Sequence, residues 1–453
     1  MTTHSSAPME TMARLLRGID QQDWSLVREQ MAPQVTTDYA SLFGAPAAES
    51  TADALVEQWK SMLTPLDSTQ HLLGAGSISY EGSRATMHVP VRGYHVAQGL
   101  AGGDEWMVAG HYEAGFEQVD GRWYLHSLRL DAHHQTGNRS LLEEAGKRAR
   151  ALPEYDGVRT ELVRFSSAGE RLAGHLYRPA DGEGPHPGVV VLGSWTTVKE
   201  QMAGRYAAEL ARRGFAALAF DPRGYGESGG GPRNVESAAM KMTDVAAAVA
   251  FLRRDRRIAS DSVGALGICA GGGYVAGATT NTPGVGAVAL VAPWLHDAQM
   301  VEAIYGGASG VKERLDLAAA ARAHYESTGE VEYVPAVSTT DESAAMYGPF
   351  DYYTDSKRGA IEAWPNAFAT MAWTEWLTFD PHPFAAKQKA PLLMVHSEQA
   401  ALPDGARRFH AAAGKSAPIH WLEGTQFDFY DNPETVTAAT NAVAEHLRAH
   451  LPS

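Results

Sequence analysis

Cysteine is nearly absent: Cys269 is the only one in 453 residues. A single thiol excludes an intrachain disulfide and any zinc site built on paired cysteines. Basic residues are scarce, with 38 Lys and Arg against 53 Asp and Glu and a net charge of −15. A nucleic-acid partner requires a basic footprint, so none is expected. Long apolar runs are missing too, and none reaches the roughly 18 residues of a membrane span. The stretch Met1 to Met12 is polar with no apolar h-region, so no secretory leader is expected. These absences predict a cytoplasmic protein with neither membrane nor nucleic-acid partner, and with no metal or cofactor.

What is present is ordinary globular composition, 44% hydrophobic and 20% charged. The chain is too long for one ordinary core, so two domains are expected. The lone thiol sits in Gly267-Ile268-Cys269-Ala270-Gly271, after the apolar run Val263 to Ile268 and before Gly271-Gly272-Gly273. Strand, turn and helix in that order form the setting of a G-x-S-x-G nucleophile elbow, with Cys in place of Ser. A helix start at Gly271 predicts a lowered thiol pKa and a thiolate.

Residues 9–135 read as a separate domain. Met9 to Gln30 has helical periodicity in Met12, Leu15, Leu16, Ile19, Trp24 and Val27, and Ser50 to Met62 is a second helical stretch. From His71 the pattern alternates. Ser77–Tyr80, Ala85–Val89, Trp106–Gln118 and Trp123–Leu130 read as strands, with turns at Glu81-Gly82 and Asp120-Gly121. Helices followed by a curled antiparallel sheet make an α+β cone. On Asp20-Gln21-Gln22-Asp23-Trp24, Met31-Ala32-Pro33 leading to Asp38-Tyr39, Thr69-Gln70-His71 and Val119-Asp120-Gly121-Arg122-Trp123, this domain resembles the SnoaL-like polyketide cyclases and scytalone dehydratases. The resemblance implies an acid–base pair of Asp20 and His71, with Tyr39 polarising a substrate carbonyl. The chain departs from the family in three places. Ile19 stands for a tyrosine, the second histidine falls near Tyr94–His95, and Gly110 and Tyr112 replace Ser and Asn. The competing reading is that Asp20 braces the first helix, His71 is a core histidine, and the cone binds or dimerises. A homodimer is expected, since such cones commonly pair.

Residues 136–158 read as a helical connector, with Ser140 to Ala151 helical and Pro153 ending it. Residues 159–453 alternate strands and helices. Thr160–Phe165 and Arg171–Arg178 form a hairpin. Apolar strands follow at Pro187–Gly193, Phe215–Asp221, Val263–Cys269, Val285–Pro293, Ala390–Ser397 and Ala417–Gly424, with helices at Lys199–Arg213, Val235–Asp255, from Gly271, and Pro433–His450. That is a mostly parallel sheet covered on both faces, with ligands expected outside its carboxyl ends. With Val198-Lys199-Glu200-Gln201, Ala219-Phe220-Asp221 and Gly224-Tyr225-Gly226-Glu227-Ser228-Gly229-Gly230, the elbow resembles the α/β hydrolases, and among them the dienelactone-hydrolase-like group. A helical cap is expected at about 295–385, with helices at Gly310–Ser327, Asp341–Met346 and Ile361–Met371. The cap is rich in rings, and Tyr353 and Trp376 are candidate contacts for a flat substrate.

The hydrolase resemblance implies Cys269 as nucleophile, the Ala270 N–H as one oxyanion donor, and a second donor from Ser194-Trp195-Thr196. It also implies a histidine in a G-x-x-H-x-D-x-Y-D segment, and this chain reads Gly424-Thr425-Gln426-Phe427-Asp428-Phe429-Tyr430-Asp431. Gln426 takes the histidine's position and cannot accept a proton near neutral pH. The triad acid falls at Glu398 or Asp404. His296, beside Asp297, is the rescue candidate for the missing base; His396 and His420 are weaker ones. The expected function is a tailoring enzyme of polyketide-type natural-product biosynthesis. Its small-molecule substrate would be large and carbonyl-bearing, and its chemistry non-hydrolytic: C–C or C–O bond formation, cyclisation or dehydration through an enolate. The alternatives are a cysteine-dependent ester, thioester or lactone hydrolase with a relocated His, and a catalytically silent binding fold.

Overall fold

Apolar residues three and four apart build the helical side of the first unit, Met1–Leu152. Helix Pro8–Gln21 buries Met12, Leu15, Leu16 and Ile19 on one face. Asp23 caps the next helix, Trp24–Glu29, by accepting from Leu26 N, and Thr51 caps Ala52–Leu63 through Ala54 N. The sheet contains β1 (Met31–Asp38), β2 (Ala48–Thr51), β3 (Ser68–Leu73), β4 (Ser77–Glu81), β5 (Arg84–Val96), β6 (Glu105–Val119) and β7 (Arg122–Gly137). Its order is β2-β1-β7-β6-β5-β3, with β4 also on β5. Along β5 the residues Ala85, Met87, Val89 and Val91 point inward and their neighbours outward, the period of two of a half-buried strand. This computed structural model describes residues 8–97, 100, 102–150, 152–181, 184–259, 262–414 and 417–452. The expectation for Met1 to Met12 therefore lies mostly outside the described residues, as does Ala151 of the connector.

Two features of this unit differ from the sequence reading. Met31–Asp38 is not among the strands read from the sequence, yet it forms β1, which runs parallel to β7. Pro33 falls in the gap of that ladder, between Met31 opposite Leu125 and Thr36 opposite Ser127, where no N–H is needed. The connector helix, Leu141–Arg150, is not a free linker: Leu141 and Ala145 are buried in the first unit's core.

The second unit, Pro153–Ser453, is built on an eight-stranded sheet. Its strands are β8 (Val158–Ser167), β9 (Glu170–Pro179), β10 (Gly188–Leu192), β11 (Ala216–Phe220), β12 (Val263–Ile268) and β13 (Val285–Val291). The cap contributes the short strands β14 (Tyr333–Pro335), β15 (Val337–Ser338), β16 (Met346–Tyr347) and β17 (Ala367–Ala369); β18 (Leu392–His396) and β19 (Ile419–Trp421) complete the main sheet. The order is β19-β18-β13-β12-β10-β11-β9-β8, parallel from β19 to β11 and antiparallel at β9 and β8. Strands β10, β11, β12 and β18 are buried at every residue, which is why they read as continuous apolar runs. Helices Met202–Arg212 and Pro433–His450 pack together on one side, Ala238–Leu252 and Ala270–Thr279 on the other.

The cap holds one long helix, Gly307–Thr328, but the expected helices at Asp341–Met346 and Ile361–Met371 are not formed. Asn366 has a positive φ of 49°, and its amide both accepts from Val337 N and donates to Val337 O. That pairing turns the chain into β17, which lies antiparallel to β14. No described helix is long and apolar enough to cross a membrane.

Candidate active site

Strand β12 delivers Cys269 into a left-handed turn, φ 54° and ψ −123°, a strained conformation for a residue with a side chain. The flanking glycines are required by backbone crowding. A methyl on Gly267 would lie 2.4 Å from Gly271 O, and one on Gly271 would lie 2.2 Å from Gly193 O. The elbow is therefore pressed against the end of β10, which brings the loop Ser194–Thr197 to the thiol.

Cys269 is 6% exposed, and its Sγ is hydrogen-bonded by the Ser194 and Tyr430 hydroxyls, the Ala270 N–H and the Gln426 amide. Gln426 is held in one orientation. Its Oε1 accepts from Ala401 N at 3.0 Å, and its Nε2 donates to Ala292 O at 3.0 Å and to the Tyr430 hydroxyl at 3.2 Å. Ser194 Oγ lies 3.4 Å from the Tyr430 hydroxyl and accepts from the Tyr353 hydroxyl at 3.2 Å. Trp195 packs against Phe368 and Trp376 at ring separations of 5.0 and 5.7 Å. Trp376 also donates through Nε1 to the Tyr305 hydroxyl at 2.7 Å, so its place is in the wall behind Trp195. Of the candidates, Cys269, Ala270, Ser194, Gln426 and Tyr353 come together. Tyr430, four residues past Gln426, is part of the site without having been singled out; only its place in the quoted segment hinted at it.

Three expectations are corrected. The thiol is not primed as a thiolate: burial pushes the Cys269 pKa up, and this outweighs its hydrogen bonds. Glu398 and Asp404 are not the triad acid. Both are exposed and both are engaged by Arg407, Asp404 Oδ1 at 2.8 Å. His296 is not a displaced base: its Nδ1 accepts from Trp294 Nε1 at 2.8 Å and its Nε2 donates to Trp376 O at 3.0 Å. Burial lowers its pKa to about 4, so it is a neutral structural ring. His396 is likewise buried, stacked on Trp421 at 5.7 Å and lowered by burial to about 4. His420 is exposed on β19.

Two buried charge clusters fix the loop beside the thiol. Glu236 accepts from Thr196 N at 3.1 Å, from the Tyr225 and Tyr274 hydroxyls at 2.8 and 2.6 Å, and from Lys241 Nζ at 2.7 Å. Lys199 Nζ lies 2.9 Å from both Asp221 Oδ2 and Glu227 Oε2 and 2.5 Å from Glu200 Oε1. Burial and the Asp221 carboxylate raise Glu200 above the usual carboxylate range. His175, Glu200 and Glu227 bring ligand atoms within 4.8 Å of one another, but the Lys199 ammonium already supplies the positive charge among the carboxylates. Lys199→Met is expected to destabilise the second unit by about 3–5 kcal/mol, because Asp221 would be left charged, buried and unpaired. A urea titration reads this; a change below about 1 kcal/mol would contradict it.

The first unit holds a cavity of about 410 Å³. Asp20, at the end of helix Pro8–Gln21, binds His71 twice: Oδ1 meets Nδ1 at 2.7 Å and Oδ2 accepts from the His71 backbone N at 2.8 Å. His71 on β3 is opposite Gly93 on β5. A methyl on Gly93 would lie 3.4 Å from His71 Nε2, so the missing side chain keeps that nitrogen clear at the cavity wall. His95 stands edge-on to His71 at 5.7 Å, with Nδ1 3.3 Å from Trp106 O. Burial, followed by the neighbouring His71, lowers the His95 pKa to about 4. Tyr39 and Tyr112 line the same cavity as neutral phenols, raised first by burial. Asp20, His71 and Tyr39 are thus assembled as expected, and His95 and Tyr112 join them.

Residues 199–426 match the family described as serine aminopeptidase, S33, and residues 9–129 match the SnoaL-like domain. The uncharacterized protein PA2218 of Pseudomonas aeruginosa is 30% identical over 300 residues, which span 63% of this chain and 80% of that protein. Its crystal structure superposes with a TM-score of 0.60 at 26% identity, covering 66% of this chain and 96% of that chain. The thiohydrolase aneE of Aspergillus aculeatus is 31% identical over 137 residues, 30% of this chain and 42% of that protein. The structure of DcsB in complex with its substrate analogue shares the fold, with a TM-score of 0.56 at 19% identity over 65% of this chain and 100% of that chain.

Proposed function

The chain belongs to the serine aminopeptidase S33 family of α/β hydrolases, with a SnoaL-like domain ahead of the hydrolase domain, and from that premise we propose an enzyme that performs non-hydrolytic carbonyl chemistry at Cys269. Within the fold it is of the cysteine-elbow, dienelactone-hydrolase-like kind. The reading is carried by the shell of Cys269, which contains four hydrogen-bonding groups and, among the described residues, no base. Hydrolysis through an acyl-enzyme needs a base twice, to take the thiol proton and then to activate water. Amide and hydroxyl groups cannot drive the second step, so a captured acyl group waits for an acceptor other than water. An enol carbon or a hydroxyl of the substrate, held against the acyl group, then forms the C–C or C–O bond as the Sγ–C bond breaks and the acceptor's proton passes to Sγ. The ring-lined cap suits a large, flat, carbonyl-bearing molecule of polyketide type, and the similarity to a thiohydrolase agrees with thioester chemistry.

Cys269→Ala is expected to abolish product formation from a verified substrate and all covalent capture of acyl probes, read by intact-mass spectrometry. Rapid, base-like turnover of a panel of aryl esters by the wild type at neutral pH sinks the non-hydrolytic reading.

A second site is proposed in the SnoaL-like domain, on the observation that the Asp20–His71 pair opens onto the 410 Å³ cavity beside His95. A carboxylate-held imidazole can remove a proton alpha to a carbonyl, while the Tyr39 and Tyr112 phenols stabilise the enolate.

A further inference from the structure

Each of the four groups hydrogen-bonded to Cys269 Sγ is a donor: the Ser194 and Tyr430 hydroxyls, the Ala270 N–H and the Gln426 amide. Their directions are fixed from behind. Gln426 Oε1 is occupied by Ala401 N, so the Gln426 amide N–H points at the Tyr430 hydroxyl at 3.2 Å, and the Tyr430 O–H is turned toward the thiol. The Tyr353 O–H likewise points at Ser194 Oγ at 3.2 Å, and the Ser194 O–H is turned toward the thiol. The 3.4 Å between the Ser194 and Tyr430 oxygens is the spacing of two donors aimed at one atom. The loop that carries Ser194 continues the pattern. Trp195 Nε1 and Thr196 Oγ1 are buried with no partner among the described residues, and the two residues are 4% and 1% exposed. A buried N–H or O–H without an acceptor is costly, so such atoms mark places where a ligand's acceptor belongs. The Trp195 ring packs against Phe368 and Trp376 of the cap, the ring-lined region suited to a flat substrate.

Resting on the reading of Cys269 given above, we propose that this all-donor lining selects a β-ketoacyl chain, bound through the oxygens of its enolate. The choice follows from what the lining lacks. A simple ketone or acyl chain holds its α-proton too tightly to lose it without a base, and none of these donors is one. A β-dicarbonyl compound is far more acidic. It gives that proton to water and enters as an enolate whose oxygens only accept. Burying such a charge is tolerable where hydrogen bonds meet it, and bonds to an ionised acceptor are roughly twice as strong as neutral ones. Burial also raises the Cys269 pKa, which disfavours a thiolate that would compete for the same donors and repel the enolate. Acylation of Sγ, in which the thiol proton leaves with the departing alcohol or thiol, makes the sulfur a weak acceptor and frees the Ser194 and Tyr430 hydroxyls for the enolate. The enolate carbon then forms the C–C bond to the acyl carbon as the Sγ–C bond breaks. The negative charge passes from the enolate to Sγ, into the same four donors, and Sγ takes back from solvent the proton that the dicarbonyl released. Water does not replace the enolate as acceptor, because it does not enter ionised and none of the four donors can ionise it.

The test uses the full-length chain and a matched pair of ligands, benzoylacetone and butyrophenone, which differ by one carbonyl. Absorbance titration reads both binding and ionisation, because the enolate band is distinct from that of the neutral diketone. The wild type is expected to develop the enolate band with benzoylacetone at a pH where the free diketone is un-ionised, and to bind butyrophenone about 10-fold or more weakly. Tyr430→Phe and Ser194→Ala should each weaken benzoylacetone binding about 10-fold, shrink the enolate band and change butyrophenone binding far less. Gln426→Glu, which sets a carboxylate against the enolate, should remove the band. Binding without an enolate band, equal binding of the two ligands, or equal losses on both in the variants overturns the proposal, as does no binding at all. Thermal melting identifies a variant that fails to fold, and the wild-type band and ligand ratio then decide. Capture of the butyryl group of butyryl-N-acetylcysteamine by wild-type Cys269, read by intact-mass spectrometry, tests the underlying reading separately. Capture without an enolate band sinks the enolate site alone; an enolate band without capture sinks Cys269 as nucleophile and leaves the enolate site standing.

Discussion

Gln426→His is expected to turn the second unit into a hydrolase, with steady release of free acid from p-nitrophenyl butyrate where the wild type stops at the acyl-enzyme. The resemblance to the α/β hydrolases implies a base at this position, and the Gln426 amide already touches Cys269 and Tyr430. An imidazole there can take the thiol proton and later activate water. A positioned general base contributes about 10²–10⁴-fold, and the lower end applies because Glu398 and Asp404 are held away by Arg407 and no acid orients the ring. The gain should be about 100-fold in acid release, with some loss of stability. Gln426 makes three hydrogen bonds, to Ala401 N, Ala292 O and Tyr430, that a histidine cannot all keep, at about 1 kcal/mol each. An unchanged acid-release rate in a folded variant would remove the argument that the missing base is what prevents hydrolysis.

The second large effect is expected at the other pocket. His71→Asn keeps a donor for Asp20 and removes the nitrogen facing the cavity. Deuterium exchange alpha to the carbonyl of aryl ketones, followed by mass in deuterated water, should drop by about 10²–10⁴-fold. Gly93→Ala provides the companion measurement, because its methyl stands 3.4 Å from His71 Nε2 and leaves the Asp20 bonds untouched. It should weaken ketone binding without altering the fold. Exchange that persists in His71→Asn returns His71 to the role of a core histidine braced by Asp20.

How much of this was legible depended on the range of the interactions involved. The elbow was readable because its glycines answer a local demand: Gly267 and Gly271 have no room for a β-carbon. Gln426 was readable as a break in a motif frame. Tyr430 was not, because the contact that defines it crosses from the far end of the sheet to the elbow. The state of the thiol was misjudged for a related reason. A helix start is visible in the glycines after Cys269, whereas burial is not, and burial wins. His296 looked available because its two partners, the Trp294 ring and the Trp376 carbonyl, are fixed by cap packing. Strand β1 went unread, since only the β1–β7 register shows that the missing N–H of Pro33 falls in a gap of the ladder.

By itself, then, the sequence determined the two folds, the elbow and the lone thiol, since these rest on periodicity and on spacing within a few residues. The tertiary structure decided which groups touch that thiol, that burial raises rather than lowers its pKa, and that His71, held by Asp20, shares one cavity with His95 and two phenols. Those outcomes depend on which distant segments are driven together when apolar surface is buried, and on how strongly the resulting low dielectric penalises charge.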